Sequence, residues 1–188
     1  MEKEHLYHIY NQGNNRDIIF FQEKNYIYFL KKVRIHLLTH LEIFAYCLMP
    51  NHFHFLAKTR TDFDQKKFTN SLRTLLSSYT KAINKQKNRT GSLFRQNTKI
   101  INISDSKDEQ YYGQYCFQYI HQNPLKSGLV KKMNDWKYSS FSDYAGLRNG
   151  TLCNKSIARE MLNLPEDLKE FRNLSLNTVP EHILKKFM

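Results

Sequence analysis

The sequence has few cysteines and no long apolar run. Its three cysteines, Cys47, Cys116 and Cys153, are odd in number and widely spaced, which argues against C-x-x-C pairs and a disulfide framework and favours a reducing compartment. No stretch approaches the ~20 apolar residues of a bilayer span. The N-terminal residues 1–5 mix charges instead of forming an apolar segment, which is not typical of a signal peptide. We therefore expect a cytoplasmic protein with no membrane partner.

Two further absences narrow the possible classes of protein and the number of domains. The sequence has no G-x-x-x-x-G-K-[ST] loop, so it lacks the motif that binds nucleotide phosphates in many ATP-driven enzymes. It also has no internal repeat and no low-complexity linker, and 188 residues suffice for one main domain with a short appendage. A single compact domain is expected.

Acidic residues are scarce relative to basic ones. The chain has 29 Lys and Arg against 17 Asp and Glu, a formal net charge of +12. Such an excess favours a nucleic-acid partner, because cations that neutralise phosphates release counterions. A merely soluble basic protein is the alternative. The 13 Phe and 12 Tyr residues supply enough apolar surface for a folded core.

The hydrophobic periodicity predicts an alternation of strands and helices. The expected elements are a strand at 6–10, a helix at 22–40, two strands at 42–49 and 52–58, a helix at 68–83, a strand within 94–103 and a helix from 105 or 106 to 122. Pro50-Asn51 should join the middle strands as a tight turn, and Asn123-Pro124 should end the last helix. This order predicts an α+β fold with a ferredoxin-like βαββαβ sheet, helices on one face and a third helix beyond it.

Past the third helix the signals weaken. We divide the chain into a main domain at 1–124 and a C-terminal part at 125–188, which we expect to pack on the same domain. Residues 125–148 form a short extension that contains the single tryptophan, Trp136, and residues 149–188 have the pattern of a mostly helical tail. No function is predicted for that tail.

His52 and His54 are two residues apart in a predicted strand, so both imidazoles project from one face of the sheet. One divalent cation can bind both, and a cation that acts on a phosphodiester also needs an oxygen ligand and open positions. Two alternatives remain on spacing alone. The histidines are ordinary polar residues of a half-solvated strand, or they form a zinc site with Cys47, for which no fourth ligand stands at a familiar spacing.

Tyr119 and Asn123 are four residues apart in the third predicted helix and share a face. A tyrosine hydroxyl, with a pKa of about 10, is a poor nucleophile unless a metal polarises the phosphate and the site stabilises phenolate. Tyr115, one turn earlier, and Tyr79 are rival candidates. Packing in an aromatic-rich helix is the alternative role for all three.

Several segments resemble one family. Residues 46–56, YCLMPNHFHFL, look like the His-hydrophobic-His (HUH) signature of single-tyrosine transposases, which move insertion sequences as single-stranded DNA. Residues 119–130, YIHQNPLKSGLV, resemble the second signature of that group, and 136–140, WKYSS, is similar to the branch called REP-associated tyrosine transposases. Residues 7–16, YHIYNQGNNR, and 89–95, RTGSLFR, also match. Together the resemblance covers about residues 5–148.

The resemblance implies a ferredoxin-like fold and an enzyme that cuts and rejoins single-stranded DNA at or near hairpins. It implies that Tyr119 is the nucleophile, that a covalent 5′-phosphotyrosine forms, and that His52, His54 and Asn123 hold Mg²⁺ or Mn²⁺. Many members have Gln or His at the position of Asn123. Members act as monomers or as homodimers, and the sequence leaves both open.

The expected partner is single-stranded DNA that forms a hairpin, with phosphates contacted by basic side chains on and after the second helix and beside the signatures. The predicted DNA-binding residues are Arg16, Arg73, Lys81, Lys85, Arg89, Arg95 and Lys126. A solvated charged face is the alternative for each. The main alternative for the whole chain is a domesticated, non-catalytic nucleic-acid-binding protein.

Overall fold

A computed structural model describes residues 1–106 and 108–187 of the chain. The strands are β1 (Leu6–Gln12), β2 (Leu41–Met49), β3 (His52–Thr59) and β4 (Lys99–Asn102). The α-helices are α1 (Glu23–Leu37), α2 (Gln65–Lys87), α3 (Glu109–Lys126), α4 (Phe141–Tyr144), α5 (Lys155–Leu162), α6 (Leu168–Ser175) and α7 (Glu181–Leu184). The first seven elements follow the predicted order β-α-β-β-α-β-α.

The four strands form one antiparallel sheet in the order β2-β3-β1-β4. This order and the βαββαβ connectivity confirm the predicted ferredoxin-like fold. The tight turn predicted at Pro50-Asn51 joins β2 to β3. Its carbonyls accept hydrogen bonds from the backbone of Gly13, Ile19 and Phe20, at 2.8 to 3.0 Å, so the turn is fastened to the loop that follows β1.

Residues alternate between the two faces of β3 because successive side chains of a strand point in opposite directions. Phe53 points to the side of α1 and α2, where its ring centroid lies 5.2 Å from that of Phe29 and 6.0 Å from that of Phe94. His54 points to the opposite side, where its ring centroid lies 5.5 Å from that of Tyr119 on α3. The aromatic core therefore fills one face, while α3 covers the other and meets the histidines.

The end predicted for the third helix at Asn123-Pro124 is wrong, because α3 continues through Pro124 to Lys126. Pro124 removes the hydrogen bond to the carbonyl four residues earlier, and the helix ends within one turn after it, at Lys126. Gly128, at φ +72°, turns the chain away after Ser127. The helix start was also misplaced by a few residues, since Asp108 is the N-cap and its carboxylate accepts from the backbone N–H of Tyr111 at 2.9 Å.

The segment after α3 covers the outer edge of the sheet. The backbone of β2 and the segment 136–140 exchange hydrogen bonds, with Leu48 donating to Tyr138 at 2.9 Å and Ser140 donating to Tyr46 at 3.0 Å. The indole of Trp136 donates to the Leu48 carbonyl at 3.0 Å. An exposed strand edge is thereby protected from pairing with other chains.

The C-terminal tail contacts α3. Gln122 on α3 is buried, and its amide donates to the carbonyls of Ser175 and Asn177 at 2.9 and 2.8 Å. A β-carbon at Gly113 would come within 2.5 Å of the side chain of Leu162 on α5, so α3 and α5 approach closely at this glycine. The tail thus contacts α3, and residue 124 lies inside that helix.

Candidate active site

A cavity of about 670 Å³ lies beside the His-Phe-His segment of β3, between the sheet and α3. It is lined by Tyr10, Asn11, Gln12, Arg16, Asn51, His52, His54, Arg95, Asn97, Lys99, Tyr119 and Phe187. Cationic, aromatic and imidazole groups therefore share its wall, and among the described residues no carboxylate lines it. Such a lining suits an anionic ligand with aromatic or planar parts.

His52 and His54 both reach this cavity, and each has its Nδ1 next to a neighbouring side chain. Nδ1 of His52 lies 2.6 Å from Oδ1 of Asn51. Nδ1 of His54 lies 2.9 Å from Nε2 of His8. Nε2 of His54 is buried and has no hydrogen-bond partner in the described part of the chain. In both rings Nδ1 therefore contacts another side chain of the protein, and Nε2 of His54 is left without a protein partner among the described residues.

Burial keeps these imidazoles neutral. It lowers the pKa of His52 to about 4, with a hydrogen bond to Asn123 acting in the opposite direction. Burial also lowers the pKa of His54 well below its usual range, and the neighbouring imidazoles of His8 and His52 add to this effect. A neutral imidazole has a lone pair for a metal ion, so both side chains are in the required state near pH 7.

Tyr119 is half-buried on α3 and lines the cavity, facing His54. Burial raises the pKa of its hydroxyl, while a hydrogen bond to Asn123 lowers it, so the side chain is a phenol at neutral pH. The two rival candidates for the nucleophile, Tyr79 and Tyr115, do not line the cavity. The Tyr79 hydroxyl donates to the Ile19 carbonyl at 2.7 Å within the core, and the ring of Tyr115 packs edge-on against Tyr111.

Asn123 lies one turn beyond Tyr119, and its amide N–H donates to the backbone carbonyl of Tyr119 at 2.9 Å. That bond leaves the amide oxygen available. The side chain is also near enough to hydrogen-bond with the groups of His52 and Tyr119. The structure therefore brings His52, His54, Tyr119 and Asn123 close together, and Asn123 is not among the residues that line the cavity.

Among the described residues, the site lacks the four-ligand His and Cys set of a structural zinc site. Within residues 1–106 and 108–187, no group of three His, Cys, Asp or Glu side chains is placed to hold a metal. Cys47, the third ligand of the zinc alternative, directs its thiol to Met49 at 3.7 Å, and burial raises the thiol pKa. Two neutral imidazoles and an amide oxygen remain as candidate ligands, and these leave coordination positions for substrate oxygens.

Arg16 reaches the cavity from a strained turn after β1. Both Asn15 and Arg16 have left-handed backbones, with φ of 53° and 62°, and the Asn51 amide donates to the Arg16 carbonyl at 3.2 Å. Gly13 begins the turn, and a β-carbon there would lie 2.1 Å from the backbone oxygen of Asp17. Strain of this kind is retained where surrounding contacts hold a residue in place.

Gly13→Ala is therefore expected to destabilise the protein by about 1–3 kcal/mol, because the added methyl group collides with backbone that cannot move aside independently. Urea unfolding with circular dichroism measures this change. Ile18→Ala, at a side chain that is 48% exposed in the same loop, is the control and should change stability by less than about 0.5 kcal/mol. Equal stability of Gly13→Ala and the wild type would contradict the close contact.

The predicted DNA-binding residues are not all at one place. Arg16 and Arg95 line the cavity, and Arg95 also lines a neighbouring groove between α2 and β4 together with Arg73. The remaining four lie outside both linings: Lys81 and Lys85 on α2, Arg89 just after it, and Lys126 at the end of α3. The sequence could not tell the cations that line the cavity or the groove from the other four. The reason is that the residue pattern of a helix does not show which of its exposed cations lie near a distant site.

Sequence reasoning missed several cavity residues. Tyr10 on β1 and Asn51 in the turn belong to quoted segments but had no role assigned. Phe187 lies near the end of the chain, is 1% exposed, and stacks obliquely on Tyr119 with ring centroids 5.6 Å apart. Alternation along β1 would have placed Tyr10 on the face of His54. No local signal could have found Phe187, because its contact depends on how the tail folds back.

The fold and the cavity define a class of site: a ferredoxin-like sheet with a histidine pair on β3 that faces a tyrosine of α3. A Haemophilus influenzae protein, named provisionally as a REP-associated tyrosine transposase, is 30% identical in an alignment 109 residues long that covers 53% of this chain and 58% of the relative. The chain thus matches somewhat over half the length of this relative. No protein-family model matches the sequence.

A solved structure shares the fold. It is described as a REP-associated tyrosine transposase bound to a REP hairpin, and it aligns with 78% of this chain and 84% of its own, with a TM-score of 0.58 and 22% identity. The sequence relative confirms the resemblance to REP-associated tyrosine transposases, and the solved structure confirms the fold.

None of the described helices is both long and apolar enough to cross a bilayer.

Proposed function

We propose that this chain is a metal-dependent endonuclease and strand transferase of the single-tyrosine type, a transposase that acts on hairpin-forming single-stranded DNA in the cytoplasm. One observation carries the proposal: Tyr119 and His54 line one cavity with their rings in edge contact, centroids 5.5 Å apart, and the buried Nε2 of His54 has no partner among the described residues. A nucleophile and a ligand for a cation are then side by side.

His52, His54 and Asn123 would hold Mg²⁺ or Mn²⁺. When bound, the ion withdraws charge from the scissile phosphate and makes its phosphorus more electrophilic. The cationic groups of Arg16, Arg95 and Lys99 on the same wall bind the remaining phosphate charge and orient the strand.

Tyr119 then attacks the phosphorus in line with the bond to the 3′ oxygen. A bond forms between the phenolic oxygen and phosphorus, the bond from phosphorus to the 3′ oxygen breaks, and the phenolic proton ends on the released 3′-OH. The DNA remains linked to the protein as a 5′-phosphotyrosine. Attack by another 3′-OH reverses the step and joins new strands, so the energy of the original phosphodiester is conserved and no nucleotide hydrolysis is needed.

The proposal is supported by the match to a protein whose structure was solved with a REP hairpin. It is tested by incubating the full chain with end-labelled single-stranded hairpin DNA and Mg²⁺ or Mn²⁺, then separating the products on a denaturing gel. A band of covalent protein–DNA adduct is expected with the metal and none with a chelator. Hairpin binding without any adduct would favour the alternative, a domesticated protein that binds nucleic acid without cutting it.

Removal of cavity cations should weaken hairpin binding in a salt-dependent way. In an Arg16→Gln, Arg95→Gln double variant, the slope of log affinity against log salt should become shallower by about 0.7–0.9 for each phosphate that is no longer neutralised. Fluorescence anisotropy over a series of salt concentrations measures this slope. Lys169→Ala, an exposed cation on α6 outside the cavity, is the control. An unchanged slope in the double variant would remove these two arginines from the binding surface.

A further inference from the structure

His8 lies directly behind one of the proposed metal ligands. It is on β1, its side chain is fully buried, and its ring stacks on that of His54 with centroids 5.1 Å apart and planes 16° apart. The two residues are diagonal neighbours in the antiparallel pairing of β1 with β3, since His8 pairs with Leu56 and His54 with Tyr10. The register of the sheet therefore places one imidazole against the other.

The 2.9 Å separation between Nε2 of His8 and Nδ1 of His54 accommodates one shared proton. If His54 carries the proton, it donates to His8, and its own Nε2 has a free lone pair. If His8 carries it, the neutral His54 must have a proton on Nε2, which then cannot coordinate a cation. Only the first arrangement is compatible with a metal ligand.

Nδ1 of His52 also contacts a neighbouring side chain, but the neighbour is an amide and not an imidazole. This Nδ1 lies 2.6 Å from Oδ1 of Asn51, an oxygen that can only accept, so Nδ1 of His52 carries the proton. His8 can accept or donate. The His8–His54 pair therefore has two proton arrangements, and a cation at Nε2 of His54 favours the one in which His8 accepts.

We infer that His8 is a positioning residue for a divalent cation: it accepts the Nδ1 proton of His54 and holds that ring so that Nε2 points into the cavity. This inference rests on the proposed function, because it assumes that His54 binds a metal. Groups that accept the second N–H of a metal-bound histidine fix its tautomer and orientation and increase its basicity as a ligand.

Plain packing is the rival role of His8. Its ring makes edge contacts with Tyr119 and Phe187, each with centroids 6.0 Å apart, and an aromatic ring alone would preserve those contacts. His8→Phe keeps a flat ring and removes the acceptor, whereas His8→Gln keeps an acceptor at the end of a side chain of similar reach. The two variants therefore separate packing from hydrogen bonding.

Isothermal titration calorimetry at neutral pH measures the affinity of the full chain for Mn²⁺ in the absence of DNA. His8→Phe should bind Mn²⁺ about 10–100-fold more weakly than the wild type, and His8→Gln should recover most of the affinity. His121→Phe is the matched control, because His121 is equally buried and its Nε2 bonds to Ser140 at 2.7 Å, outside the cavity lining. Its Mn²⁺ affinity should equal that of the wild type.

A second measurement needs no variant and covers the case in which His8→Phe does not fold. Nitrogen-15 spectra of the histidine rings in the wild type, with saturating Mg²⁺, should show the proton of His54 on Nδ1 and that of His8 on its own Nδ1. A proton on Nε2 of His54 in the Mg²⁺-bound protein would overturn the inference.

His52→Ala distinguishes failure of this inference from failure of the proposed function. If the wild type binds Mn²⁺ no better than His52→Ala, the metal site and the role of His8 are both wrong. If the wild type binds better than His52→Ala but His8→Phe equals the wild type, the metal site stands and only the role of His8 is wrong.

Discussion

Tyr119→Phe is expected to bind hairpin DNA like the wild type and to form no covalent adduct at all. The substitution removes only the hydroxyl, and the remaining ring keeps its contacts with His54 and Phe187. Because the adduct bond is made by that oxygen, no partial activity is expected, in contrast to the loss of a group that only assists. Denaturing gels of labelled hairpin DNA measure the adduct, and anisotropy measures binding.

Tyr115→Phe is the matched control, because Tyr115 is one helical turn earlier on α3 and outside the cavity lining. It should form adduct at the rate of the wild type. Adduct formation by Tyr119→Phe would show that another residue is the nucleophile, and its loss in both variants would point to damage of α3 instead.

The second large effect is expected from the histidine pair. His54→Ala and His52→Ala should each lose several kcal/mol of transition-state stabilisation, which corresponds to about a thousandfold lower cleavage rate. The physical reason is that each variant removes one of two imidazoles and leaves only the other imidazole and one amide oxygen as candidate ligands. Cleavage rates measured over a range of Mn²⁺ concentrations should show both the loss and a weaker response to the metal.

His40→Ala is the control for this experiment. His40 is partly buried and bonds to Ser71 at 2.9 Å, away from the cavity lining, so its cleavage rate should match that of the wild type. If His52→Ala and His54→Ala cut DNA at the wild-type rate with the same metal requirement, the proposed metal site is wrong.

Much of the fold follows from local sequence patterns. Helical spacing placed α1 and α2, and Pro50-Asn51 located the turn between β2 and β3. The errors occurred where local signals compete. Asn123-Pro124 is a helix stop in most contexts, yet here the absence of one hydrogen bond in a final turn is outweighed by the packing of α3 on the sheet and the tail. The fourth strand spans only four residues of the ten-residue segment in which it was expected.

The candidate site was also predicted only in part by local sequence patterns. The two-residue spacing of His52 and His54 predicts a shared face, and the four-residue spacing of Tyr119 and Asn123 predicts another. That these two faces meet was implied by resemblance to a family, and the structure places His54 and Tyr119 in edge contact at the wall of one cavity. The proposed DNA-binding role of the basic residues stays a prediction for all seven of them.

The sequence by itself determined the strand and helix order, the excess of positive charge and the pairing of histidines on one strand face. These depend on side-chain period and composition, which are properties of neighbouring residues. Tertiary structure alone decided that His8 lies behind His54, that Asn51 faces His52, and that Phe187 covers Tyr119. Those contacts join residues from different parts of the chain, and their geometry arises from strand register and helix packing, which no local pattern encodes.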